Sequence, residues 1–111
     1  MNEQDFEQRW NGALKRFEEK FDQPLDLQAI LFLIGVNELG QGPMKLTKDQ
    51  KIDVMHIAVC HLLMPYGYYE YTGLDKDGWP HYSRNDRLPR LEAQAQENLM
   101  KEAIINYSSE W

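Results

Sequence analysis

Apolar positions fall in groups along the chain, and the spacing within each group predicts an element. Phe6, Trp10, Leu14, Phe17 and Phe21 recur every three or four residues. At roughly 100° per residue they form one stripe, which predicts an amphipathic helix over 5–21. Gln23-Pro24 breaks the pattern, because proline cannot continue a helix and restricts the residue before it. A second helix is expected over 26–39. Its segment Ala29-Ile30-Leu31-Phe32-Leu33-Ile34 is apolar on every side, as in a helix central to its fold or covered by a second chain. Gly40-Gln41-Gly42-Pro43 supplies the stop.

Thr47 followed three residues later by Gln50 fits a capping box and predicts a third helix over 48–64, halted by Pro65. Its expected buried face is Ile52, Met55, Val59, Leu62 and Leu63. Residues 66–83 combine aromatic runs with Asp75-Lys76-Asp77-Gly78, the pattern of a β-hairpin or an ordered aromatic loop. Gly78 would take the left-handed position of the turn, and Pro80 confines the second strand to an edge. The last helix is expected over 87–107, with Asp86 as N-cap and Pro89 in the first turn. Leu88, Leu91, Ala95 and Leu99 form one stripe; Met100, Ile104 and Tyr107 form another, rotated roughly 100° from it. The expected class is mainly α: one four-helix domain over 1–111 with a hairpin or ordered loop between the third and fourth helices.

Composition narrows the partners. The net charge is −6, whereas a binder of duplex nucleic acid or of an anionic membrane needs a basic stripe. Neither partner is expected. The longest strongly apolar run, 29–34, is too short to span a bilayer, and the acidic N-terminus is the opposite of a secretory signal. A cytoplasmic location follows as the expectation. One cysteine, Cys60, forms no internal disulfide.

The chemistry-bearing residues are few. On the third helix Asp49, Asp53, His56 and Cys60 lie within about a 60° arc. Asp53 and His56 have the spacing by which a helix offers a carboxylate and an imidazole to one metal ion, Cys60 could add a thiolate, and Glu38 could join from the second helix. A second Glu-x-x-His repeat is missing, and His61 lies about 140° round the helix from His56. The plainer reading makes His56 a boundary residue and Cys60 a packed one, with no cofactor. Asp75-x-Asp77-Gly78 resembles part of a calcium loop, but Gly73 and Arg84 stand where its first and twelfth ligands belong.

Tyrosine and tryptophan pair large rigid area with a polar end, so Tyr68, Tyr69, Tyr71, Trp79 and Tyr82 are candidates for binding a partner. Arg84, Arg87 and Arg90 join them as candidate contacts to an acidic group. No phosphate-cradling glycine loop and no nucleophile elbow is present, and enzymatic activity is not expected. The reading is a small non-enzymatic protein–protein interaction module: an accessory subunit, adaptor or homo-oligomer. The alternative is a small metal- or ligand-binding protein using Asp53, His56 and Cys60.

Overall fold

The computed structural model describes residues 3–40, 45–85, 87 and 89–109. In chain order these form α1 (Glu3–Phe21), α2 (Leu27–Leu39), α3 (Lys48–Leu63), a 3-10 turn (Met64–Tyr66), β1 (Tyr69–Leu74), β2 (Pro80–Arg84) and α4 (Ala93–Ser108). The class is the expected one: mainly α, with an antiparallel hairpin between the third and fourth helices. No helix among the described residues is long and apolar enough to cross a membrane. Contacts divide the chain into two units, Met1–Ile30 with Leu91–Trp111, and Leu31–Arg90.

The first unit joins α1 to α4. Ala13 and Phe17 of α1 are buried, as are Ala103, Ile104, Ile105 and Ser108 of α4. The buried hydroxyl of Ser108 accepts from Arg16 Nη2 at 3.0 Å and donates to the Ile105 carbonyl at 3.2 Å. Lys101 Nζ sits 5.4 Å from the centroid of the Trp10 ring, within the range of a cation–π contact. Asp26 caps the start of α2, its Oδ1 accepting from the Ala29 amide at 2.8 Å.

The last helix starts later than its sequence suggests. Arg87 lies in a turn, residues 89–92 are not helical, and Glu92 is the N-cap, extended at φ −64° and ψ 160°. Proline lacks the amide a helix interior needs and disfavours helical backbone just before it, so Pro89 interrupts this stretch instead of opening a helix. Asp86, expected as the cap, and Leu88, expected in the first stripe, lie outside the described residues, as do Gly42 and Pro43 of the expected stop. The first stripe is little used: Leu91 and Leu99 are half-buried and Ala95 is exposed.

The second unit packs α2 from Leu31 onward, α3 and the hairpin. Leu39, Val54 and Ile57 are its buried cluster, covered by Phe32, Val36, Leu46, Trp79 and Tyr82. Gly35 is buried where α2 meets α3, and a Cβ there would collide with the Val54 carbonyl. A hydrogen at this position lets the two backbones approach. The capping box on α3 forms as expected: Gln50 amide to Thr47 Oγ1 at 3.1 Å, and Thr47 amide to Gln50 Oε1 at 2.9 Å.

The buried side of α3 differs from expectation. Val54, Ile57, Ala58 and Cys60 are buried together with Leu62 and Leu63, Met55 and Val59 are only half-buried, and Ile52 is 58% exposed. With apolar residues nearly all round the helix, spacing alone leaves the phase of its buried face open.

Candidate functional site

The site begins with a turn. Asp75 follows β1, and its carboxylate folds back on the loop: Oδ1 accepts from the amides of Asp77 at 2.9 Å and Trp79 at 3.0 Å. The Gly78 amide donates to the Asp75 carbonyl and the Asp75 amide to the Trp79 carbonyl. Gly78 closes the loop at φ 83°, the left-handed position expected of it. The other carboxylate oxygen, Oδ2, lies 2.9 Å from Nε2 of His81 on β2. The His81 hydrogen bond, followed by the Trp79 amide, holds the Asp75 carboxyl below its ordinary value of 3.8. These donors hold in place the carboxylate that the calcium-loop resemblance would have assigned to a cation.

Register then places the aromatics. Tyr69 pairs with Arg84 and Tyr71 with Tyr82; a bulge follows, and Leu74 pairs with Pro80. On β2, Pro80, Tyr82 and Arg84 alternate onto one face, so their partners Tyr69, Tyr71 and Leu74 share it. The extra residue in β1 keeps Leu74 in phase with Tyr71; strict alternation would have sent it to the opposite side. Tyr71 and Tyr82 meet edge to face, with centroids 5.7 Å apart.

Beneath this hairpin lies α3, and between them is a cleft of about 270 Å³. Asp53, His56, Ile57 and Cys60 line it from the helix. Asp75, Trp79 and Pro80, with His81 and Tyr82, line it from the hairpin. Of Asp49, Asp53, His56 and Cys60, expected on one side of α3, the last three line the cleft and Asp49 does not. Cys60 is buried, with Sγ 3.5 Å from His56 Nε2. The His56 ring meets Tyr69 edge-on at 6.4 Å. Burial pushes the Cys60 thiol up to about 11, so near neutral pH it keeps its proton and is a poor nucleophile and a poor metal ligand. Burial, and then the Glu38 carboxylate, raise the Tyr82 hydroxyl above its ordinary 10. Tyr82 is therefore a hydrogen-bond donor in this cleft, not an anion.

Other candidates lie elsewhere. Glu38 Oε1 is 3.2 Å from Nε2 of His61 and does not line the cleft. Among the described residues no three or more His, Cys, Asp and Glu side chains are grouped to hold a metal ion. Tyr68 and Tyr69 are half-buried, and Tyr71 is 52% exposed. Arg84, Arg87 and Arg90 are exposed on β2 and the segment after it, not along the first turn of a helix.

The placement of three residues was not legible beforehand. Leu74 is 63% exposed and Ile52 58% exposed; with Tyr71 they are the exposed large apolar side chains among the described residues. Two of them neighbour residues that line the cleft, since Leu74 pairs with Pro80 and Tyr71 meets Tyr82 edge to face, whereas Ile52 is on α3. The third is His81, whose tie to Asp75 depends on a turn that brings together residues six apart. The chain matches no protein-family model, no curated protein and no solved structure.

Proposed function

We infer that this chain is a non-enzymatic interaction module that docks a segment of a partner protein in the cleft between α3 and the hairpin. The observation that carries the reading is a concave site whose lining residues Pro80 and Tyr82 are paired on the hairpin with the exposed apolar side chains Leu74 and Tyr71. Scattered apolar side chains are ordinary on a surface, whereas a group of them around a cleft is a usual mark of a contact site.

Size selects the kind of partner. Small-molecule sites run from about 300 to 1,000 Å³ and are mostly enclosed. A cleft of about 270 Å³ stands at the lower edge of that range and suits one large anchoring side chain. The exposed side chains of Tyr71 and Leu74 beside the cleft offer only a few hundred Å². A stable globular interface needs about 800 Å² per partner. A short segment with one anchor and apolar flanks therefore fits better than the face of a folded domain or of a second copy. Neither the Cys60 thiol, which keeps its proton, nor the Asp75 carboxylate, held by its own turn, is an activated nucleophile.

Selection of binders from a random-sequence peptide library on the intact protein tests this reading, followed by amide chemical-shift mapping of the best binder. Shifts centred on Asp53, Tyr71, Leu74 and Trp79 are expected. No enriched peptide, or shifts centred on other residues, would overturn it.

A further inference from the structure

We propose that the anchoring side chain is basic: an arginine or lysine, flanked by apolar residues, enters the cleft of the α3–hairpin site. The proposal rests on the docking reading above and adds the chemistry of the occupant.

Charge complementarity argues for it. Two carboxylates line the cleft, Asp53 from the helix and Asp75 from the turn, and no lysine or arginine does. Asp53 makes no hydrogen bond or ion pair among the described residues, so its charge is available to an incoming group. Asp75 is fixed in place by two amides and by His81. A carboxylate offers about four lone-pair positions, which leaves it room for one more donor. The aromatic side chains of Trp79 and Tyr82 line the same cleft. Indole and phenol faces attract a cation and lie well along an aliphatic stem.

The apolar rim completes the match. A basic side chain seated in the cleft would carry its neighbouring residues past Tyr71 and Leu74, the exposed partners of cleft-lining Tyr82 and Pro80, where leucine-like flanks bury exposed area. An acidic anchor would meet two like charges, and a purely apolar one would leave both carboxylates unused.

The test uses short synthetic peptides with a single arginine between two leucines, titrated into the isotopically labelled full chain. Shifts at Asp53, the Trp79 indole and Tyr82 are expected. Affinity should fall about tenfold when the arginine is replaced by glutamine. It should also weaken as salt rises from about 0.05 to about 0.5 M. Asp53→Asn should weaken the arginine peptide about threefold and leave the glutamine peptide unchanged. Lys51→Gln, a nearby exposed substitution outside the cleft, serves as the control and should not weaken the arginine peptide. Equal binding of the arginine and glutamine peptides overturns the basic anchor while leaving the docking cleft intact. Absence of shifts at every cleft residue with either peptide overturns both.

Discussion

Cys60 and Asp75 are ionisable residues whose surroundings assign them opposite parts. Cys60 is enclosed by its own helix and the cleft floor, and burial keeps it a thiol. Its value of about 11 against an ordinary 9.0 reduces the thiolate fraction near pH 8 roughly 100-fold. Alkylation by iodoacetamide should therefore be at least about 100-fold slower in the folded protein than after denaturation; equal rates would show the thiol to be open. The sign for stability follows: the protonated form is favoured in the fold, so its contribution is complete below 9.0 and declines as pH rises toward about 11.

Asp75 runs the other way. Its donors lower the folded value, so the support it gives the turn is complete above its ordinary 3.8 and is lost as pH falls through the lowered value. Resonances of Trp79 and Gly78 should hold their positions down to about pH 4 and move below it. With Asp75→Asn that transition should be absent, and an unchanged acid transition in the variant would contradict the assignment.

Elements were legible where their signals are local. The capping box of Thr47 and Gln50 fixes the start of α3 because both partners lie within one turn. The hairpin turn was equally local, with Asp75 and Gly78 bounding it. The start of α4 was not, because a proline at the first turn and a proline that blocks a helix have the same local sequence. The phase of α3 was not, because the side it buries depends on which residues of α2 and the hairpin meet it. Gly35 carries the same lesson, since nothing around it in the sequence marks a close approach to Val54. At an exposed helical position Gly→Ala would stabilise by up to about 1 kcal/mol. Here the collision with Val54 reverses the sign, and Gly35→Ala should destabilise by about 1–3 kcal/mol in denaturant unfolding. A stabilised variant would mean that α2 and α3 do not meet at this glycine.

For the whole molecule, the candidate site was half legible. Asp53, His56, Cys60, Trp79 and Tyr82 were singled out by type and spacing, and the structure brings them to one cleft. Ile52 and Leu74 read as core residues or went unnoticed, because exposure is a property of the packed chain. If the rim serves a short segment and not a second copy, light scattering should give a mass near 13.1 kDa across a wide range of concentrations. A stable dimer lost on Tyr71→Ser with Leu74→Ser would transfer the rim to self-association. Leu74→Ser, at an exposed position, should leave stability within about 0.5 kcal/mol, while Tyr71→Ser also loses the edge-to-face contact with Tyr82 and should cost about 1 kcal/mol.

That double substitution also gives the most direct test of the docking cleft. Calorimetry would compare the affinity of a library-selected peptide for the wild-type chain and for the Tyr71→Ser, Leu74→Ser variant, with unfolding midpoints measured alongside. A loss of about tenfold or more in a variant that remains folded is the predicted result. Equal affinity in a folded variant would contradict the account, because the exposed rim would then contribute nothing to binding.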